Sequence, residues 1–178
     1  AKDARQPIPV RMSNDEPVGL MFFGDPHLDS PQCDWPELRR CVAICESTEG
    51  MRGVSLGAAG SSDNWIDRLQ REYAASEASA AQGWQLADWF IKSIDPLFII
   101  RGNHNARSGH GDPLEYIKMP GSLCEKRKAI VELRWPNGRT AVLDCAHDHV
   151  VTSQFNPLHG QVRQARFNHT GIDADLYI

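Results

Sequence analysis

The sequence has no apolar run that approaches the ~20 residues needed to cross a membrane as a helix. Its first residues do not show the charged and apolar regions of a secretory signal peptide. Basic residues are not in excess, since 19 Lys and Arg stand against 23 Asp and Glu, for a net charge of -4. This balance argues against a dedicated, strongly basic nucleic-acid surface, although it is compatible with a local basic strip. We therefore expect a cytoplasmic protein with no membrane association.

The chain also has no Cys-x-x-Cys pair, and its five cysteines are an odd number. Cys41 and Cys45 lie one helical turn apart, a spacing that suits helix packing better than a zinc site. Reduced thiols are the simplest interpretation of this pattern. With 178 residues and 41% apolar content, the composition is that of one globular domain with a sizeable core.

Apolar runs and helix signals alternate along the chain in the manner of an α/β protein. Residues 1–17 are mostly polar and interrupted by prolines, so we expect an N-terminal arm followed by one domain over residues 18–178. Asn137-Gly138 lies between two later strand-like runs and predicts a hairpin. The other predicted strands are Val18–Phe23, Gly53–Gly57 and Pro96–Ile100. A first helix is predicted over residues 34–49, with Asp34 as its N-cap. A second is predicted over Trp84–Ile94, and Gly83 is expected to divide it from an earlier helical stretch.

Polar side chains follow three of the predicted strands at the point where each strand ends. Asp25 and His27 follow the first strand, Asn103 and His104 follow the third, and His147 follows the return strand of the hairpin. The proline after Asp25 favours an extended backbone there, and residues two apart in an extended segment point the same way. Because ligands bind beyond the carboxyl ends of strands in α/β sheets, we expect these side chains to converge in one cleft around a divalent metal.

Each of these residues also has an ordinary structural interpretation. A lone Asp or His beside a proline in a loop is usually solvated, and Asn103 after Gly102 is typical of a turn. His147 is compatible with a simple solvated strand end. The shared placement at strand ends makes the combination more specific than any of its members.

The order of these residues resembles the pattern of the calcineurin-like metallophosphoesterases. Asp25-Pro26-His27 matches the family's Asp-x-His after the first strand, and Gly102-Asn103-His104 matches its Gly-Asn-His after the third. His147 stands where the family has a metal-binding His, and the stretch HDHVVTSQFNPLHG resembles the phage and prophage branch. The resemblance covers residues 18–178. It implies a mixed β-sheet sandwich flanked by helices, in four layers of the order α/β/β/α.

The resemblance also implies an activity, namely hydrolysis of phosphodiesters or phosphomonoesters by two metal ions that hold a hydroxide and neutralise phosphate charge. It assigns Asp25 and His27 to the first metal, and Asn103 and His147 to the second. His104 would face the leaving group as an acid or a charge stabiliser. Mn²⁺, Fe and Zn²⁺ all suit this mixture of nitrogen and oxygen ligands. Nucleotides and nucleic acids are among the phosphoester substrates that the resemblance implies.

The sequence departs from the family pattern at three places. The family's second motif carries an Asp that bridges the metals, and either Ala58 or Gly60 stands there, depending on the alignment. Asn105 replaces the acid after Gly-Asn-His, and the sequence ends at Ile178 before the family's final Gly-His-x-His. We therefore expect a truncated or altered version of an active enzyme, with at most one weakly bound metal and little activity. The alternative is a catalytically inactive binding or scaffold protein with the same fold.

Two further segments carry predictions. Arg163, Arg166 and His169 are candidates for phosphate contacts, although basic residues on a surface segment are commonly only solvated. Aromatic and apolar residues recur at near-helical spacing over Asn64–Ile94, which predicts a structural role for this stretch, with Trp84 in the core.

Overall fold

The computed structural model describes residues 6–24, 26–57, 79–102, 114, 123–147, 158–167 and 172–178. Within these ranges the chain is an α/β protein, as the alternating pattern predicts. Its strands are β1 (Ile8–Arg11), β2 (Gly19–Phe23), β3 (Met51–Ser55), β4 (Pro96–Arg101), β5 (Leu123–Lys126), β6 (Lys128–Arg134), β7 (Thr140–Ala146) and β8 (Leu176–Tyr177). The described helices are α1 (Trp35–Ser47), α2 (Ala80–Ile94) and α3 (His159–Phe167).

Four strands form a parallel sheet in the order β2-β3-β4-β5. The apolar runs that make up these strands are typical of strands covered on both faces. Because all four strands run the same way, their carboxyl ends meet at one edge of the sheet, which we call the carboxyl edge. Gly53 in β3 lets α2 approach closely, since a Cβ at this position would lie 2.6 Å from the Cβ of Ile94.

The other four strands form a mixed sheet in the order β1-β6-β7-β8. β6 and β7 are antiparallel and form the predicted hairpin, in which Gly138 takes a φ of +85° that glycine adopts without strain. β1 pairs in parallel with β6 only, so residues 8–11 of the predicted arm form an edge strand. Pro9 is tolerated in β1 because an edge strand has one side without ladder hydrogen bonds.

The two sheets share a core that excludes solvent. Residues alternate along β4, so that Phe98 and Ile100 pack between the sheets with Val131 of β6, while Ile99 faces the other way. On that second face the parallel sheet packs against α1 and α2, with Phe90 of α2 completely buried. The described layers are therefore α1 with α2, the parallel sheet and the mixed sheet, with α3 in contact with the outer face of the mixed sheet through Gln164 and Asp144. The hydrophobic effect on both faces holds the parallel sheet in place.

The helix boundaries follow from capping. The predicted N-cap of α1 is confirmed, because Asp34 Oδ1 accepts a hydrogen bond of 3.1 Å from the Glu37 backbone N–H. The prediction that Gly83 divides the helical stretch is wrong, because α2 already begins at Ala80 and is capped by Ser79. The side chain and backbone of Ser79 pair with those of Gln82 in a capping box, which satisfies N–H groups at the helix start.

Residues 58–78, which include the first part of the predicted stretch Asn64–Ile94, lie outside the described residues. Trp84 lies in α2 and packs against the helix-side core, but it is only half-buried. The expectation that Trp84 sits fully in the core is therefore not met, and Phe90 is the fully buried aromatic residue of the described part of this helix.

Candidate metal centre

At the carboxyl edge, the ends of β2 and β3 are joined by a backbone hydrogen bond. Leu56, the residue after β3, donates its N–H to the Phe23 carbonyl at 2.8 Å. The pairing between β2 and β3 thus continues one residue past the end of β3. The segments that leave these strands, beginning at Gly24 and Gly57, start side by side.

The end of β7, the return strand of the predicted hairpin, reaches the same edge. A turn between the two sheets brings it there. Arg127 links β5 of the parallel sheet to β6 of the mixed sheet, with a φ of +54°. Its N–H donates to the Arg101 carbonyl at 3.3 Å, and its own carbonyl accepts from the His147 N–H at 2.8 Å. Because β7 runs antiparallel to β6, the end of β7 returns to the point where β6 began. His147 therefore lies at the carboxyl edge of the parallel sheet.

The side chain of His147 contacts that edge directly. Its Nδ1 lies 2.8 Å from the carbonyl oxygen of Leu56, and the residue is half-buried. A carbonyl oxygen only accepts, so Nδ1 carries the proton in this hydrogen bond. In the neutral ring, Nε2 then holds the lone pair that a metal or a proton takes. Metal-ligating histidines in proteins almost always donate their other ring N–H to a carbonyl or carboxylate in this manner.

His27 lies at the same edge, four residues beyond the end of β2, with an unusual backbone. Its φ is +44°, in the left-handed region, and its carbonyl accepts from the Ser30 N–H at 2.8 Å. The expectation of an extended segment from Asp25 to His27 is therefore wrong at His27, because the chain turns there. Non-glycine residues in this region cost of order 1–3 kcal/mol and are concentrated at functional sites.

The remaining predicted ligands lie outside the described residues. These are Asp25, Asn103 and His104, together with the positions that replace the bridging and final acids of the resembled family, Ala58, Gly60 and Asn105. Gly102, directly before Asn103, is buried and follows the carboxyl end of β4. The described part of the chain contains no group of three or more His, Cys, Asp or Glu side chains arranged to hold a metal ion.

A groove of about 580 Å³ opens beside the turn that follows His27. Its walls come from that turn, through Leu28 and Asp29, from Trp35 at the start of α1, and from Gln82 and Leu86 of α2. Sequence reasoning missed this feature, because α2 supplies one wall and is far from the other two in the chain. The Leu56 carbonyl was missed for a related reason, since a backbone acceptor has no signature in the sequence.

The thiols near this region are poor metal ligands at neutral pH. Burial raises the pKa of Cys33, and the neighbouring carboxylates of Asp34 and Asp29 raise it further. Burial, helped by the charge of Asp144, raises the pKa of Cys145 to about 12. Because the thiolate is the form that binds metals, both residues favour the protonated, non-ligating state.

In the part of the chain that the structure describes, no helix combines the length and apolar character needed to cross a membrane. Comparisons of the sequence with protein-family models, and of the chain with curated proteins and with solved structures, find no match.

Proposed function

We propose that this chain is a metal-dependent phosphoesterase, with the site at the carboxyl edge of the parallel sheet. The single observation that carries the proposal is the hydrogen bond from His147 Nδ1 to the Leu56 carbonyl. It brings a residue from the mixed sheet to the strand ends of the parallel sheet and orients Nε2 as the ligating atom. A histidine at a merely solvated strand end has no need of such a fixed ring.

The layer order supports a metallophosphoesterase-like sandwich as the finer description of the fold. A fourth layer, α3, lies on the mixed sheet, where Gln164 Nε2 donates to Asp144 Oδ2 at 3.0 Å. Helices, parallel sheet, mixed sheet and α3 then give the α/β/β/α order that the sequence resemblance implies. The arrangement leaves the carboxyl edge of the parallel sheet as the place where loops from both sheets converge.

Among the described residues of the predicted site, His147 fits a divalent metal, because its hydrogen bond to Leu56 holds the tautomer that ligates through Nε2. His147 and Asn103 would hold one ion, and Asp25 and His27 the other, with His104 beside the leaving group. Bound metals would lower the pKa of a water molecule and neutralise charge on the phosphate. Asp25 supplies the one carboxylate of this set, so the site is best suited to Mn²⁺, Fe or Zn²⁺ with mixed nitrogen and oxygen ligands.

The second motif explains why we expect weak activity. β3 ends at Ser55, and the buried Gly57 follows two residues later. This placement favours an alignment anchored on the strand end, in which Ala58 replaces the bridging acid. Without a bridging carboxylate, the repulsion between two adjacent cations is less well compensated. The same observation favours the rival function, a binding or scaffold protein that kept the fold and lost its metals.

The test measures Mn²⁺ binding by calorimetry and hydrolysis of bis(p-nitrophenyl) phosphate in parallel. The unmodified chain is compared with Ala58→Asp, Gly60→Asp, His147→Ala and a control, His159→Ala, a histidine of α3 that does not belong to the predicted ligand set. We expect Ala58→Asp to tighten metal binding and raise turnover, and His147→Ala to abolish that gain when added to it. The control should leave binding and turnover unchanged.

Three outcomes would contradict the proposal or its alignment. If neither Asp variant gains metal affinity or turnover while all variants unfold cooperatively, the scaffold interpretation is correct. If His147→Ala behaves as His159→Ala does, His147 is not a ligand. If the unmodified chain binds two Mn²⁺ ions tightly, the second motif is misaligned and Asp63 becomes the candidate bridge.

A further inference from the structure

Exposed large apolar side chains are concentrated at one end of the described chain. Among the described residues they are Trp89, Leu158, Val162, Phe167 and Leu176, and four of these five lie in α3, next to it, or in β8. Phe167 is 60% exposed and Val162 52% exposed. Exposed apolar side chains that cluster on one part of a surface are commonly found at interaction sites.

The orientation of α3 is fixed by a buried polar contact. Gly160 is buried, and Gln164, one turn later, donates to Asp144, which is only 1% exposed. Since Asp144 also pairs with a lysine, this anchor involves charge as well as hydrogen bonding. The helix side that turns away from Gly160 and Gln164 is consequently held towards solvent rather than free to rotate.

The exposed residues of α3 combine positive charge with an aromatic ring. Val162, Arg163 and Arg166 lie on the side away from the anchor, and Phe167, the last residue of the helix, is exposed beside Arg163. We call these four residues the basic–aromatic face. The guanidinium carbons of Arg163 and Arg166 lie 6.0 and 5.9 Å from the centroid of the Phe167 ring. Both arginines are exposed, and neither forms an ion pair with a carboxylate among the described residues.

We propose that the basic–aromatic face binds single-stranded nucleic acid, with the arginines on phosphates and a base stacked on Phe167. The charge complementarity is local, because the chain as a whole carries a net charge of -4. An exposed aromatic ring flanked by cations is the recognition element of single-strand binders, since every unstacked base offers a π-face. A duplex would satisfy the arginines but offers no unstacked base to the ring.

The position of the face relates it to the candidate metal centre. Asp144, to which α3 is anchored, precedes His147 by three residues along β7. At about 3.3 Å per residue, this separation is roughly 10 Å. A strand held on α3 would thus pass within a few nucleotides of the carboxyl edge. The proposed binding does not require hydrolysis, so it is tested separately from the proposed activity.

The experiment measures fluorescence anisotropy of a labelled 20-nucleotide oligo-dT in EDTA at low salt, with the full chain. The variants are Arg163→Gln/Arg166→Gln and Phe167→Ala. Arg39→Gln is the matched control, because Arg39 is also exposed and lies 5.8 Å from an aromatic centroid, that of Trp35, on α1. We expect the double variant to lower the salt slope by about 1.4, and Phe167→Ala to weaken binding by about 5-fold or more. The control should bind like the unmodified chain.

Several results would overturn the proposal. These are absence of binding by the unmodified chain, equal losses in Arg39→Gln, or displacement of the oligonucleotide by poly-glutamate as readily as by unlabelled oligo-dT. Equal affinity for a duplex of the same length would refute the stacking of a base on Phe167. A concentration-dependent dimer that disappears in Phe167→Ala, without oligonucleotide binding, would assign the face to a second copy. Thermal unfolding of each variant confirms that the comparison is made between folded proteins.

Discussion

The buried ion pair between Lys128 and Asp144 offers a sharp test of the packing of the mixed sheet. Lys128 Nζ lies 2.9 Å from Asp144 Oδ1 and 3.1 Å from Oδ2, and Gln164 supplies a further hydrogen bond to Oδ2. The Asp144 side chain is 2% exposed and that of Lys128 is 23% exposed. We consider Lys128→Met, which keeps an unbranched side chain of similar length but removes the charge.

The expected loss follows from leaving a carboxylate buried without its cation. At an effective dielectric constant near 20, a separation of 2.9 Å corresponds to a gross attraction of roughly 6 kcal/mol. Part of this is offset by the cost of removing both charges from water, and removal of one partner of a buried pair typically costs about 3–5 kcal/mol. Because Lys128 keeps some contact with solvent, we expect a value near the lower end, about 3 kcal/mol.

The assay is urea unfolding at neutral pH, in which this loss moves the midpoint by roughly 1–2 M. Lys92→Met is the control, because Lys92 and Asp88 form an i,i+4 pair at 2.7 Å with side chains 60% and 36% exposed. Such an exposed pair contributes at most about 1 kcal/mol. The double variant Lys128→Met/Asp144→Asn should recover most of the lost stability, because no buried charge then remains. Equal midpoints for Lys128→Met and Lys92→Met, or no recovery in the double variant, would refute the reasoning.

Three further predictions concern the core and the thiols. Phe90→Ala should lower the free energy of unfolding by about 3–5 kcal/mol in urea titrations, because this side chain is fully buried against the parallel sheet; a loss below about 1 kcal/mol would contradict that placement. Gly53→Ala should cost about 1–3 kcal/mol in the same assay, because its Cβ would lie 2.6 Å from Ile94, whereas Gly24→Ala meets nothing within 4 Å and should be close to neutral. Cys145 should resist the thiol reagent DTNB at pH 8 until the protein unfolds, since its pKa is raised to about 12 by burial and the nearby Asp144; rapid labelling of Cys145 in the native protein would be the contrary result.

Local features of the fold were predictable from the residues. The N-cap at Asp34 and the hairpin at Asn137-Gly138 appear where the sequence signals place them, because capping and turn chemistry depend on neighbouring residues. The apolar runs also predicted β2, β3 and β4 to within about two residues at each end. The start of α2 was misjudged, since Gly83 looks like a helix breaker while the capping box at Ser79 overrides it.

The candidate site was only partly predictable. The sequence indicated that His147 follows a strand, and the pairing of β6 with β7 brings that strand end to the carboxyl edge. Its partner, the Leu56 carbonyl, lies 91 residues earlier in the chain and belongs to the backbone, so residue types alone carried no sign of it. The turn at His27 was hidden as well, because the proline before it suggests an extended chain and the hydrogen bond to Ser30 decides otherwise.

The sequence by itself determined β2, β3, β4, the hairpin of β6 and β7, and α1, and it showed which polar residues stand at strand ends. Those properties depend on periodicity and turn chemistry within a few residues. Only the tertiary structure decided that the eight described strands divide into two sheets, that residues 8–11 join the mixed sheet, and that Asp144 is buried with Lys128. Sheet membership and burial are properties of contacts between distant segments, so the free energy of packing selects them and no local pattern specifies them.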